Sequence, residues 1–144
     1  MAPLILIVED NDEDFLTFQR ALLHSEKKPV IERCKKGDEV LDYLYQRGRF
    51  AGQLPNLPSL ILLDLNLPGM DGRQVLNILK QDVKLKSLPV VVVTTSTNPR
   101  DIAGCYSAGA NSYLVKSFRF HQFREQIKLL MDYWFQTVTL PSQV

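Results

Sequence analysis

Short runs of hydrophobic residues recur along the chain, and the segments between them carry hydrophobic residues at helical spacing. Unbroken runs of this length are typical of strands that are covered on both faces of a sheet. Four such runs occur, at Leu4–Val8, Leu60–Leu63, 90–93 and 113–115. A fifth segment, Val30–Cys34, alternates between hydrophobic and polar residues. The pattern therefore predicts five short strands.

Helical segments alternate with these strands. Hydrophobic residues three or four positions apart form one face of each of three segments: Phe15, Phe18 and Leu22; then Val40, Leu41, Leu44 and Tyr45; then Val75, Leu76 and Leu79. Because right-handed crossovers join parallel strands, this alternation predicts an α/β fold with a parallel sheet and helices on both faces.

The last helix is predicted over about 120–138 and carries two hydrophobic stripes. One stripe contains Phe123, Ile127, Leu130 and Trp134, and the other contains Met131, Phe135 and Val138. A sheet face can cover only one of them, so the second stripe needs a different cover. The connection 48–59, which contains Pro55 and Pro58, is unusually long and is predicted to form a surface excursion.

Composition narrows the class of protein. The chain has 144 residues, of which 45% are hydrophobic and 23% are charged, so residues 1–144 are predicted to form one domain. Its 17 Lys and Arg residues nearly balance 16 Asp and Glu residues, which argues against a nucleic-acid partner. We expect no membrane span, no signal peptide and a cytoplasmic location. Cys34 and Cys105 are predicted to be small core residues in a reducing compartment.

Acidic residues follow the first strand, where a nucleotide-binding fold would have glycines. Glu9 and Asp10 begin an acidic run, and the chain has no glycine-rich phosphate-binding motif. Ligands of open parallel sheets bind beyond the carboxyl ends of the strands. Asp64 follows the third strand, so three carboxylates converge if the first and third strands are neighbours. The repulsion of each pair, roughly 4 kcal/mol at about 4 Å, requires a positive group among them.

Mg²⁺ fits this set of ligands, because it binds few carboxylates and keeps several waters. Thr94 and Lys116 end the fourth and fifth strands and would add a hydroxyl and an ammonium at the same edge. The three carboxylates, the ammonium and the metal ion sum to zero formal charge. A carboxylate in this setting can attack a phosphoryl group and form an acyl phosphate.

Each of these residues has an ordinary structural explanation when it is taken alone. Acidic residues favour the first turn of a helix, aspartate commonly begins a turn, threonine favours strands, and lysine is commonly exposed. The argument for function is that these chemical groups all fall at the carboxyl ends of predicted strands.

The chain resembles the receiver domain of two-component response regulators over about residues 4–130. The resemblance rests on Glu9-Asp10, on the segment 63–72 around Asp64, and on the spacing to Thr94 and Lys116. The resemblance implies a flavodoxin-like (βα)5 fold, with a doubly wound parallel sheet in the order 2-1-3-4-5 and an extended C-terminal helix. It implies that a histidine kinase transfers a phosphoryl group to Asp64 with Mg²⁺ as cofactor. No output domain is expected, so the signal would leave through a protein surface.

The resemblance also implies a role for each site residue. Mg²⁺ would be held by Glu9, Asp10, Asp64 and the backbone carbonyl of Asn66. Thr94 would be the switch hydroxyl, Tyr113 the switch aromatic residue and Lys116 the phosphate contact.

A narrower likeness comes from the long connection with Pro55 and Pro58, the sequence 94–96 and the ending 133–141. These segments are similar to the stand-alone regulators that partner cyanobacterial and bacterial phytochromes. The likeness implies light signalling and a homodimer formed through the fourth helix, the fifth strand and the fifth helix. The stripe Met131, Phe135 and Val138 is then predicted to lie in the homodimer contact.

Ser117 departs from the family pattern, in which proline follows the lysine through a cis peptide bond. A cis bond before a residue other than proline costs about 2.5–4 kcal/mol. We therefore expect the Lys116–Ser117 bond to be either trans, with the lysine and the start of the last helix displaced, or cis and strained.

Two other functions stay open at this point. One is an interaction module that has kept the fold and lost phosphotransfer, for which Ser117 is the hint. The other is a phosphatase with an aspartyl nucleophile. Such enzymes usually carry a second acid two residues later, where this chain has Asn66, so a general acid is missing.

Overall fold

A parallel sheet of five strands forms the centre of the molecule. The computed structural model describes residues 2–53 and 57–141. The strands are β1 (Leu4–Val8), β2 (Val30–Cys34), β3 (Leu60–Leu63), β4 (Val90–Thr94) and β5 (Ser112–Val115). They lie in the order β2-β1-β3-β4-β5, and all neighbouring pairs are parallel. The predicted strands and the flavodoxin-like order are confirmed.

Helices connect the strands and cover the sheet. They are α1 (Asp12–Leu23), α2 (Gly37–Tyr45), α3 (Gly72–Gln81), α4 (Pro99–Ala108) and α5 (Phe120–Asp132), and a π-helical segment (Tyr133–Thr137) continues α5. Helix α4 buries a single hydrophobic residue, Cys105, so its hydrophobic pattern is weak. It is marked instead by Asn98, whose side chain accepts the Arg100 N–H, and by Pro99 at its first position.

Two hydrophobic layers cover the two faces of the sheet. In β1, for example, Leu6 and Val8 face α2 and α3, whereas Ile5 and Ile7 face α1 and α5. Strands that are buried on both faces need hydrophobic residues at every position, which explains the unbroken runs. Cys34 and Cys105 are free and buried, and burial raises the pKa of the Cys34 thiol to about 12. Both cysteines are core residues, as predicted.

The last helix packs differently from the prediction. Phe123, Ile127, Met131 and Phe135 are each at most 4% exposed and pack against the sheet. Leu130 and Trp134 are only partly buried. Residues four apart form a row that runs obliquely across the sheet, and the π-helical segment widens the final turn. The predicted homodimer contact is therefore wrong for Met131 and Phe135, which belong to this chain's own core.

The connection after α2 begins with a short 3-10 turn (Gly48–Phe50). Phe50 is buried and packs edge-to-face on Tyr43. Residues 51–53 and Leu57 are exposed, in agreement with the predicted surface excursion, whereas Pro58 and Ser59 are buried. Pro55 lies outside the described residues. Within the described ranges, no helix has both the length and the hydrophobicity needed to cross a membrane.

Candidate metal centre

The carboxyl ends of the strands bring the predicted site residues to one edge of the sheet. Glu9 and Asp10 follow β1, Asp64 follows β3, Thr94 is the last residue of β4 and Lys116 follows β5. β1 and β3 are hydrogen-bonded neighbours in which Val8 lies opposite Leu63. This register places the two acidic strand ends side by side, as the sequence predicts.

Three carboxylates form the centre of this edge. One oxygen from each of Glu9, Asp10 and Asp64 lies within 4.8 Å of the others. Glu9 is 1% exposed and Asp64 is 8% exposed, whereas Asp10 is open to solvent. Three hard oxygen ligands, one of them beside solvent, suit a divalent cation that keeps bound water. The residues present therefore fit a divalent metal ion.

The Lys116 amine lies within the acidic cluster and is 6% exposed. Its Nζ atom donates to Glu9 Oε1 at 2.6 Å, to Asp14 Oδ2 at 2.8 Å and to Asp64 Oδ2 at 3.2 Å. Sequence reasoning missed Asp14, which lies in the first turn of α1. The Asp14 N–H donates to the Asn11 side chain, which caps that helix.

Burial and excess negative charge dominate the electrostatics of the site. Burial raises the pKa of the Glu9 carboxyl from 4.5 to about 7, although the Lys116 ammonium opposes the rise. Burial lowers the pKa of the Lys116 amine, but the carboxylates of Glu9 and Asp64 outweigh burial and raise it above its ordinary value. Four carboxylates, counting Asp10 and Asp14, against one ammonium leave a formal charge of −3. A divalent cation would reduce that excess to −1.

Thr94 at the end of β4 and Tyr113 in β5 have different settings. Thr94 is fully buried, and its Oγ1 atom has no hydrogen-bond partner in the described part of the chain. A buried hydroxyl without a partner costs about 1–3 kcal/mol. The Tyr113 hydroxyl donates to the Ser96 carbonyl at 2.9 Å, and its ring is half-buried. Thr94 thus carries a buried hydroxyl donor without a partner at the end of β4, while Tyr113 contacts the loop between β4 and α4.

The turn after β3 holds Asp64 in place. The Asn66 N–H points to Asp64 Oδ1 at 3.4 Å, and the Gly72 N–H donates to the Leu65 carbonyl at 2.9 Å. A Cβ atom on Gly72 would lie 2.3 Å from the Asp64 carbonyl oxygen, so only glycine fits there. Asp71 caps α3 through a capping box with Gln74. The metal-binding role of the Asn66 carbonyl stays a prediction.

The Lys116–Ser117 bond is trans, since the described residues contain no cis peptide bond. Of the two expected alternatives, the trans form is therefore the one present, yet the Lys116 amine still reaches Asp64 and Glu9. The Gln126 side chain bridges the peptide groups on the two sides of Lys116, because its Nε2 donates to the Val115 carbonyl at 2.8 Å and its Oε1 accepts the Ser117 N–H at 3.0 Å. This contact was not predicted from the sequence.

A second polar network that sequence reasoning missed holds the loop between β4 and α4. Arg73 of α3 makes two hydrogen bonds to Asp101 of α4, at 2.7 and 2.8 Å. The hydrogen bond from Arg73, followed by one from the Ser96 hydroxyl, lowers the pKa of the Asp101 carboxyl to about 2. Because the Ser96 carbonyl accepts the Tyr113 hydroxyl, this network connects α3, α4 and β5.

Known proteins share both this fold and the length of this chain. Response regulator Rcp1 from a Synechocystis species is 39% identical over 139 residues, which cover 96% of this chain and 93% of Rcp1. The structure of the Mn²⁺-bound form of Rcp1 matches with a TM-score of 0.93 and covers 96% of this chain and 99% of that chain. The structure of the phosphorylated cyanobacterial phytochrome response regulator RcpA matches with a TM-score of 0.92 at 40% identity, over 98% of this chain and 99% of that chain.

A family model for the response regulator receiver domain matches residues 5–128. That range contains β2 to β5, all of β1 except Leu4, and all the site residues described above. With the strand order and the acidic edge, it identifies the fold as that of a signalling protein with a divalent-metal site. The chain belongs to the response regulator receiver domain family.

Proposed function

We propose that this chain is a phosphorylation-dependent switch in which Asp64 accepts a phosphoryl group from a histidine kinase, with Mg²⁺ as cofactor. One observation carries the proposal. The buried Asp64 carboxylate lies 3.2 Å from the Lys116 ammonium and contributes an oxygen to the same cluster as Glu9 and Asp10. This edge therefore combines a nucleophile, a cation site and a fixed positive charge.

The reaction is a direct transfer between two side chains. An Asp64 carboxylate oxygen forms a bond to phosphorus as the phosphorus–nitrogen bond of the donor histidine breaks. The leaving imidazole nitrogen keeps that electron pair and takes a proton from water. Bound Mg²⁺ supplies positive charge to the phosphoryl oxygens. Glu9, Asp10, Asp64 and the Asn66 carbonyl would hold the metal ion.

The Lys116 amine is the residue placed to contact the phosphoryl group. It already lies within hydrogen-bond distance of the Asp64 carboxylate and can donate to a phosphoryl oxygen on it. The same groups would support self-phosphorylation from small phosphodonors and slow loss of the phosphoryl group to water.

Thr94 and Tyr113 would carry the signal away from the site. The Thr94 hydroxyl has no hydrogen-bond acceptor among the described residues, so a phosphoryl oxygen would give it one. Its shift toward the phosphoryl group would move the loop between β4 and α4, to which the Tyr113 hydroxyl is bonded. Only a difference in stability between the two states can drive such a change.

The proposed kinase is of the phytochrome type, and the proposed setting is cytoplasmic light signalling. RcpA is described as a cyanobacterial phytochrome response regulator, and this chain matches it along nearly its whole length. The signal would then pass to a downstream protein by direct contact, through the surface of the single domain.

We further propose a homodimer through α4, β5 and α5. Its surface cannot include Met131 or Phe135, which are buried in the core. The elements of the proposed surface carry exposed hydrophobic residues that support the proposal: Tyr106 on α4, Leu129 on α5 and Tyr133 just after it. Sedimentation at micromolar concentration should show a dimer in at least one phosphorylation state. A strict monomer in both states would contradict this part of the proposal.

Phosphotransfer from a labelled phytochrome histidine kinase tests the function. With Mg²⁺, wild type should take the label, whereas Asp64→Asn should take none and chelation of Mg²⁺ should stop transfer. Asp132→Asn is the matched control, since it removes an equal charge at the far end of α5. Label retained by Asp64→Asn would overturn the assignment, and a wild type that takes no label from any donor would favour the interaction module.

A further inference from the structure

The Lys116 amine uses all three of its N–H donors on carboxylates from three separate segments of the chain. Two of the acceptors have other roles in the proposed function, because Glu9 is a candidate metal ligand and Asp64 is the candidate phosphoacceptor. Asp14 has neither role: it lies outside the cluster of candidate ligands, in the first turn of α1. It is therefore the one acceptor that can stay bonded to Lys116 when the other two are engaged.

The backbone on both sides of Lys116 is held as well. Gln126 of α5 donates to the Val115 carbonyl and accepts the Ser117 N–H, so one amide group bridges the residues before and after the lysine. Proline at position 117 would have no N–H to donate. The serine therefore permits a contact that the usual family sequence cannot make.

We propose that Asp14 and Gln126 are positioning residues for Lys116: Asp14 anchors its amine and Gln126 fixes its backbone, so that the amine stays aimed at the phosphoryl group on Asp64. This inference rests on the proposed function of Asp64 and Lys116. It assigns roles to two residues outside the metal ligands and explains how the lysine keeps its position when Ser117 follows it.

Phosphorylation by phosphoramidate with Mg²⁺ tests Asp14. Asp14→Asn should lower the maximal rate about tenfold, while the donor concentration at half-maximal rate changes less than twofold, because a loss of positioning acts on the reacting complex. Glu13→Gln is the matched control, since it removes an equal charge from the neighbouring exposed residue of the same turn. Its rate should stay within twofold of wild type.

A double-mutant cycle separates positioning from a general structural effect. In the Lys116→Ala background, neither Asp14→Asn nor Gln126→Ala should lower the maximal rate further. Gln126→Ala alone should be slower than wild type, whereas Gln122→Ala on the same helix, which loses only a hydrogen bond from the Ser117 hydroxyl, should match wild type. The proposal would be overturned if Asp14→Asn or Gln126→Ala lowered the maximal rate equally with Lys116 and with Ala at position 116. A wild-type rate in Asp14→Asn would also overturn it.

Mg²⁺ binding to the unphosphorylated protein supplies a readout that does not depend on phosphotransfer. Without Asp14, the Lys116 amine would interact more closely with Glu9 and Asp64 and would compete with the metal ion for these carboxylates. Calorimetry should then show at least fivefold weaker Mg²⁺ binding for Asp14→Asn, and less than a twofold difference between Lys116→Ala and Lys116→Ala with Asp14→Asn. Equal weakening in both backgrounds would contradict the anchor role. A wild type that binds Mg²⁺ but takes no phosphoryl group would instead contradict the function of Asp64.

Discussion

At the scale of single residues, Thr94 carries a fully buried hydroxyl without a partner among the described residues. Thr94→Val should therefore raise the free energy of unfolding of the unphosphorylated protein by about 1 kcal/mol, because an unsatisfied polar group is removed. The same variant should lose the change in Tyr113 environment on phosphorylation. Urea denaturation and tyrosine spectroscopy measure the two effects.

Thr17→Val is the control for that experiment. Thr17 of α1 is also buried, but its hydroxyl donates to the Glu13 carbonyl at 3.2 Å. Its replacement should lower stability rather than raise it. If Thr94→Val destabilises the protein as much as Thr17→Val does, then the Thr94 hydroxyl already makes a hydrogen bond in the unphosphorylated protein.

Glu9 predicts a pH dependence of stability. Its pKa is raised by burial from 4.5 to about 7, so between these values the folded state holds a proton that the unfolded state has lost. Without metal, the contribution of Glu9 to stability should be full below about pH 4.5 and should be lost as the pH rises to about 7. Mg²⁺ binds the ionised form, so it should stabilise the protein more at pH 8 than at pH 6.

The measurement is urea denaturation across this pH range, with a chelator and with Mg²⁺. Glu9→Gln is the reference, because it cannot titrate and keeps the shape of the side chain. As the pH rises, the free energy of unfolding of wild type should fall relative to that of Glu9→Gln. A difference that stays constant from pH 4 to 8 would show that Glu9 ionises normally in the folded protein.

The sequence identified Glu9, Asp10, Asp64 and Lys116 because each directly follows a strand, and strand ends are positioned by the sheet. Asp14 was not identified, since its contact with Lys116 depends on the direction of a side chain across the gap between α1 and β5. The same limit applies to the Arg73–Asp101 network, which joins two helices distant in sequence.

At the scale of elements, the contact of α3 with the turn after β3 sets the position of Asp64. A Cβ atom on Gly72 would collide with the backbone of Asp64 and Leu65. Gly72→Ala should lower the free energy of unfolding by about 1–3 kcal/mol and slow phosphorylation, because α3 and the turn must move apart. Gly104→Ala in α4 meets no atom within 4 Å and should stabilise by about 0.5–1 kcal/mol.

Denaturation and phosphorylation rates of the two variants test this contact. A stable Gly72→Ala protein with a wild-type rate would show that the turn can adjust without moving Asp64.

The strands were predictable because burial on both faces leaves an unbroken hydrophobic signature. Helix α4 was not predictable from its hydrophobic pattern, because it buries Cys105 alone. The prediction of which residues of the last helix face the sheet was wrong for Met131 and Phe135. An ideal helical period does not predict the oblique row through Met131 or the wider π-helical turn through Phe135.

At the scale of the whole molecule, the sheet order brings together groups that are far apart in the chain. The β1–β3 pairing joins Glu9 to Asp64, and β4 and β5 add Thr94 and Lys116 at the same edge. No two neighbouring elements alone could assemble this site. The order 2-1-3-4-5 could be expected from the family resemblance, whereas the periodicity alone indicated only a parallel sheet.

The most direct test of the central claim is to locate the phosphoryl group itself. Wild-type protein would be treated with phosphoramidate and Mg²⁺, reduced with borohydride to convert an acyl phosphate to an alcohol, and mapped by peptide mass spectrometry. The modification should be found at Asp64, and it should be absent without Mg²⁺. A modification at Asp10, Asp14 or any other carboxylate, with Asp64 unmodified, would contradict the account.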